Sequence, residues 1–291
     1  MESVHRIQGR DLRESDIEAI RSLIAANPAW HRTRLSIELT RAWNWRSACG
    51  RFQDMAARSL LLKLERRGVI TLPSRRGAHH PRRVSPSQAA LPAAVPIVEP
   101  LAGLLPLRVE RVPPRHPDRQ IFSGYLSQHH YLGYRGPVGE TLAYLVRDSR
   151  GRDLACVLFG AAAWKTKPRD AWIGWDADTR ARRLSFIANN HRFLILPWVQ
   201  VPHLSSHILG RISRRLAEDW QTKYGHPVHL LETFVERERF KGTCYRAANW
   251  TCVGQTQGRS RQDRNNTLRV AIKDIYVYPL TPRFRELLCH A

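Results

Sequence analysis

Acidic residues are in short supply: 25 Asp and Glu stand against 47 Lys and Arg, a formal charge of +22 over 291 residues. Such a field attracts polyanions, chiefly nucleic acid or an anionic membrane surface. Long apolar runs are missing too. The stretch 193–199 is among the longest, whereas a membrane span needs about 18 residues or more. With no signal peptide and no basic amphipathic helix of large apolar face, a soluble, cytoplasmic protein with a polyanionic partner is expected. Cysteine pairs at metal-binding spacing are also absent. Cys49, Cys156, Cys244, Cys252 and Cys289 are scattered, which excludes a disulfide framework or a zinc knuckle and reads as reduced and mostly structural. Lysine is scarce, so arginine carries the charge. Its planar fork matches phosphates and guanine edges, although a GC-rich genome favours arginine codons as well. Internal repeats are absent.

What is present divides into three regions: residues 1–77, a proline-rich linker at 78–118, and a larger domain at 119–291. In the first, Ile17, Ile20, Leu23 and Ile24 fall at helical spacing after Ser15 or Asp16 as N-cap. A second helix is expected over 34–43, with Leu35 and Leu39 inward. A third is expected over 52–67, burying Met55, Leu60, Leu61 and Leu64 and stopping at Gly68. Residues 69–72 then read as a strand. Three helices, a strand and Ser74-Arg75-Arg76-Gly77 are the layout of a winged helix-turn-helix. Residues 30–83 hold thirteen Lys and Arg against Glu38, Asp54 and Glu65. In that reading the third helix enters the major groove with Arg51, Gln53 and Arg58 on its exposed side, Arg46 also binds DNA, and Arg75 and Arg76 lie on phosphate or in the minor groove. The alternative is a winged-helix protein–protein module with a solvated basic face. The proline-rich stretch, with ten of the eighteen prolines falling between 73 and 117, reads as extended.

The third region alternates strands and helices. A helix is expected at 121–129, a hairpin at 142–146 and 154–160, and a strand at 190–197. A periodic helix follows at 205–224, with Ile208, Leu209, Ile212, Leu216 and Trp220 inward. After it come a strand at 228–235, a short helix at 243–248, and strands at 251–254 and 275–278. The fold class is therefore α+β, helices packed on a mixed sheet.

That order, with the segment Tyr245-Arg-Ala-Ala-Asn-Trp250, resembles the GNAT acetyltransferase superfamily. An acyl-CoA loop needs glycine-rich backbone at the start of the long helix, so that amides cradle pyrophosphate. Here Gln200-Val-Pro-His-Leu-Ser-Ser206 has no glycine, and its proline removes a donor. A second resemblance covers most of the chain. The blocks beginning His129-His-Tyr-Leu-Gly-Tyr, Asn189-Asn-His-Arg-Phe and Leu204-Ser-Ser-His-Ile are similar to the Druantia protein A family. So are those beginning Glu232-Thr-Phe-Val-Glu-Arg-Glu-Arg-Phe-Lys-Gly and Lys273-Asp-Ile-Tyr-Val-Tyr. This resemblance implies a part in anti-phage defence or in mobile elements, and partners among other defence-system or transposition proteins.

Two groups of residues can carry chemistry. His129, His130 and Glu140 sit on a loop rich in glycine and tyrosine, where they do acid–base work, hold a metal, or cap a helix and contact phosphate. Glu232 and Glu236 share one strand face, which is costly unless they are paired or metal-bound. If Glu140 joins them, the cluster suits Mg2+ and phosphodiester chemistry; if arginines pair them, they are structural. Tyr245 is a nucleophile, a general acid or a packed ring. Residues 237–273 hold nine Lys and Arg against Glu238 and Asp263. Among these, Arg239, Lys241, Arg259, Arg261 and Arg264 suit a loop laid along a phosphate backbone. Three functions follow: a DNA-binding protein using both domains; a metal-dependent nuclease or transposase-like enzyme; and, last, an acyltransferase-like modifier. Oligomeric state stays open, a homo-oligomer included.

Overall fold

The computed structural model describes residues 5–7, 10–47, 49–74, 91–136, 139–258 and 270–290. The chain forms two compact units, residues 1–83 and 84–291.

In the first unit β1 (His5–Ile7) pairs antiparallel with β2 (Arg10–Leu12). Three helices follow: α1 (Glu14–Ala26), α2 (Arg32–Ala42) and α3 (Asp54–Arg66). The Asp16 carboxylate accepts from the Arg13 amide at 2.9 Å, so α1 starts two residues before the expected Asp16. At α2 the His31 ring accepts from the Arg34 amide at 3.2 Å. Ile17, Ile20, Leu35, Leu39, Leu60, Leu61 and Leu64 form the core, as their spacing requires. Met55, expected inside, is 57% exposed, because it lies on the turn of α3 opposite Leu60 and Leu64. Residues 69–72 bury Ile70 and Leu72 alternately but form no strand among the described residues. Side chains occupy their carbonyls instead. Arg21 donates to Val69 O at 3.0 Å, and Arg32 donates to Pro73 O at 2.7 Å while clasping Glu65 at 2.8 and 2.9 Å.

The second unit is built on a seven-stranded sheet. Its elements are β3 (Arg108–Arg111), α4 (Arg119–His129), β4 (Thr141–Arg147), β5 (Asp153–Ala161), α5 (Lys167–Ile173), α6 (Ala177–Arg183), β6 (Ile187–Ile195), α7 (Leu204–Tyr224), β7 (Leu230–Glu236), α8 (Thr243–Ala247), β8 (Thr251–Gln255), β9 (Lys273–Pro279) and α9 (Phe284–Cys289). The order is β3-β4-β5-β6-β7-β9-β8, and β6–β7 is the parallel pair of this otherwise antiparallel sheet. Parallel neighbours need a crossover, and α7 supplies it. Leu204, Ile208, Leu209, Ile212, Leu216 and Trp220 form its buried stripe, and Gly225 at φ +74° ends it in the left-handed turn that favours glycine.

The stretch expected as a linker behaves differently over its described part, 91–118. Ile97 bridges Val199, and Leu104, Leu107 and Val112 are buried in the core of this unit. β3 forms one edge of the sheet. Proline content had masked apolar side chains spaced too irregularly to show a period.

Candidate functional site

The site begins with a one-residue irregularity in β6. Leu158 pairs with Arg192 and Phe159 with Asn190, so His191 is the extra residue of a β-bulge. A bulge leaves backbone groups without ladder partners, and the Asn190 amide supplies them. It donates to Leu158 O at 3.2 Å and to Arg192 O at 3.1 Å. The Asn190 carboxamide oxygen accepts from the Tyr245 hydroxyl at 2.7 Å, and the Thr233 hydroxyl donates to the Asn190 carbonyl at 3.1 Å. One asparagine therefore ties together β5, β6, β7 and α8. The His191 ring lies over Gly160 of β5, where a Cβ would come within 2.5 Å of it, and its Nε2 is 3.0 Å from Ala161 O.

Parallel pairing of β6 and β7 stops after Asn189↔Glu232. Beyond it β6 follows β5 to Ile195, while β7 follows β9 to Glu236. The parting strands open a cleft of about 570 Å³. Phe193, Ile195, Thr233, Val235 and Tyr245 line its floor; His129, His130 and Tyr131 reach it from the end of α4; Phe240, Lys241 and Cys244 reach it from around the β7–α8 loop. His130 lies on the Tyr131 ring, with centroids 4.9 Å apart and planes at 25°, and its Nδ1 accepts from the Leu132 amide. Burial, helped by the Arg192 charge, pulls the His130 pKa down to about 4, so at neutral pH the imidazole is uncharged. Burial pushes the Cys244 thiol up.

The cleft thus unites His129, His130, Tyr245 and Lys241 of the expected site residues and leaves the carboxylates out. Glu232 is fully buried, and its oxygens accept from Arg169 at 2.7 Å and from the Ala163 amide at 2.6 Å. Burial raises its pKa, with Arg169 pulling the other way. Arg169 also holds Asp170, which Arg180 meets at 3.2 Å. Breaking such a buried pair by removing one partner costs about 3–5 kcal/mol. Glu236 pairs with Arg239 at 2.9 Å and Glu140 with His226 at 2.9 Å. Three carboxylates with three separate partners replace the expected Mg2+ cluster. No group of three or more His, Cys, Asp or Glu among the described residues is placed to hold a metal.

Tyr245 is likewise no poised nucleophile. It is buried against Trp250 and Tyr276, and burial, with a smaller push from Cys244, raises its pKa, so it stays a phenol donating to Asn190. His129 packs edge-on against Trp198, centroids 5.4 Å apart.

In the first unit Arg46 is committed to the turn between α2 and α3. It donates to Asn44 Oδ1 and Gly50 O, both at 2.7 Å, and its guanidinium lies 3.8 Å from the Phe52 centroid. Gln53 stands at the N-cap position of α3 with its amide donating to Arg46 O at 3.4 Å rather than to the helix, Arg51 is exposed before it, and Arg58 is half-buried rather than on the open side. Trp43 and Trp45 pack against the core under Arg10, whose guanidinium lies 4.4 and 5.6 Å from their rings. Arg75, Arg76, Arg259, Arg261 and Arg264 lie outside the described residues.

Sequence reasoning passed over Asn190, His191, Thr233, Tyr131, Phe240 and Arg169. The signal for the first two was a polar run, Asn189-Asn190-His191-Arg192, inside an otherwise apolar strand. Tyr131 and Phe240 stood in the open as apolar residues flanked by His, Arg and Lys.

Fold and site together define an α+β protein whose mixed sheet parts at its parallel strands to make an aromatic cleft. A family model, Druantia protein DruA, matches residues 63–287, and the chain belongs to that family. The match supports a component of a defence system. A search of the curated proteins finds no match. Among solved structures, the chain is similar to spermidine N-acetyltransferase from Vibrio cholerae in complex with CoA and spermine. Identity is 10%, covering 60% of this chain and 95% of that one, at a TM-score of 0.38. A putative acetyltransferase from Acinetobacter baylyi is 13% identical over 49% of this chain and 65% of that one, at a TM-score of 0.32. At those scores the likeness says nothing of activity.

Proposed function

We propose that the protein is the DNA-binding component of a Druantia-type anti-phage defence system. In this reading the first unit acts as a winged helix-turn-helix, with α3 as the recognition helix and Arg51 and Gln53 at its leading end. The second unit contributes further basic contacts, Lys241 before Arg239, which pairs with Glu236, and other components of the system are its protein partners. One observation carries the reading. Four glutamates of the first unit are consumed internally, Glu14 and Glu18 on Arg21, Glu38 on Arg41 and Glu65 on Arg32. Arg34, Lys63, Arg66 and Arg67 are exposed, and among the described residues no carboxylate pairs with them. Uncompensated cations on a helical unit, in a chain of +22, suit phosphate contact.

The test is fluorescence anisotropy of the full chain on duplex DNA across a salt series. For six to ten phosphate contacts, affinity is expected to fall about 10³–10⁵-fold between 50 and 200 mM salt. Weak binding insensitive to salt would sink the reading.

A further inference from the structure

We propose that the cleft between β6 and β7 receives an unstacked nucleobase from a single-stranded or distorted stretch of DNA. The inference rests on the DNA-binding reading and gives it a substrate class. It starts from exposed apolar surface. Tyr131, Leu132 and Phe240 are 37%, 44% and 48% exposed, and all three line this one cleft. Clustered exposed apolar side chains with a polar rim mark a binding surface. The cleft, at about 570 Å³, lies within the range of pockets that enclose small organic groups.

The lining narrows the kind of group. Tyr131 and Phe240 form an aromatic mouth, ring centroids 5.3 Å apart and inclined at 58°. Below them the lining is apolar at Phe193, Ile195 and Val235. The polar groups of the floor, Asn190, Thr233 and Tyr245, are fixed by their mutual hydrogen bonds. His130 presents a neutral ring at the side of the cleft. A planar, apolar-faced heteroaromatic that needs few hydrogen bonds fits such a lining, and base–aromatic stacking is how single strands are held without sequence preference.

Charge says what the group is attached to. Lys241 lines the mouth, Arg239 stands over Tyr131 with its guanidinium 5.3 Å from the ring, and Arg237 precedes them on the same loop. Arg239 pairs with Glu236 and Arg237 with Asp274, so those charges cancel and Lys241 and Glu238 are left on the loop. Lys241, with no carboxylate paired to it among the described residues, is the rim's cation for a phosphate. A free nucleotide or coenzyme is usually gripped through backbone amides at a helix start. Here α8 has only five residues, and the segment before α7 carries Pro202 and no glycine. Lys241 stands on a loop instead, which suits a continuing strand.

The test uses the full chain and oligonucleotides carrying one 2-aminopurine, in perfect duplex or in an unpaired bubble of equal length. Tighter binding of the bubble, with a change in 2-aminopurine fluorescence on binding, is expected. Removing one stacking ring by Phe240→Ala is expected to lower bubble affinity about tenfold while perfect-duplex affinity holds, and Phe240→Trp is expected to restore it. Equal affinity for bubble and duplex, or an equal loss on both in Phe240→Ala, overturns the cleft proposal alone. Absence of binding to any DNA overturns the DNA reading with it. Displacement of the bubble by free AMP or coenzyme A at comparable concentration assigns the cleft to a free nucleotide and overturns the proposal.

Discussion

His130 follows the last turn of α4, and its ring is closed in by Tyr131 on one face and by the cleft on another. The geometry does not assemble the expected acid–base group of His129, His130 and Glu140: Glu140 turns to His226, and burial keeps the His130 ring neutral at pH 7. The same burial has a consequence for stability. In the fold the ring takes up its proton at about 4, whereas a histidine of the unfolded chain does so near its ordinary value of 6.5. Between those values unfolding takes up a proton, so stability is full above 6.5 and falls as pH drops toward 4. Complete burial would make the loss about 3 kcal/mol. Solvent around the half-exposed ring reduces that to on the order of 1–2 kcal/mol. Urea midpoints of the wild type and His130→Asn, compared at pH 7 and pH 4.5, check this. Asparagine can still accept from the Leu132 amide but does not titrate, so its acid loss is expected to be smaller by about 1 kcal/mol. Equal losses in the two proteins would remove the claim.

At the scale of elements, legibility followed length and period. The long α7 showed its apolar stripe over more than five turns, and the β4–β5 hairpin announced itself by two unbroken apolar runs on either side of Asp148-Ser-Arg-Gly-Arg152. The short helices α5, α6 and α9, of seven, seven and six residues, complete too few turns for a period to emerge. With α5 unseen, Arg169 was unseen too, and the choice for Glu232 between an arginine partner and a metal stayed open. The bulge at His191 was equally hidden, since one extra residue leaves no mark on composition. It does leave a testable one on packing. Gly160→Ala drives a Cβ to within 2.5 Å of the His191 ring. The ring must leave Ala161 O, at an expected cost of about 1–3 kcal/mol. In a double-mutant cycle, His191→Ala is expected to abolish most of that cost. Additive losses, measured by denaturant unfolding, would mean that ring and glycine do not share the space.

Over the whole molecule the +22 charge is not spread as a uniform coat. Many arginines are spent inside the fold: Arg32 on Glu65, Arg147 on Glu110, Asp118 and Asp153, and Arg169 on Glu232. Counting charge along the sequence overstated what each segment offers a polyanion, and so Arg46 and Arg239 are weaker candidates for phosphate contact than Arg66 and Arg67. If the helical unit supplies backbone contacts and the cleft supplies base contacts, the two must separate experimentally. Phosphate contacts act equally on all DNA and carry the salt dependence, whereas stacking acts on the unpaired base and carries little. The double variant Arg66→Gln, Arg67→Gln, which leaves the buried face of α3 untouched, is expected to weaken duplex and bubble binding by the same factor. It should also flatten the slope of log affinity against log salt by about 2. Phe240→Ala is expected to leave that slope unchanged while erasing the preference for the bubble. A salt slope that moves with Phe240 and stays fixed without Arg66 and Arg67 would reverse the assignment, making the cleft loop the backbone contact and α3 a merely solvated face.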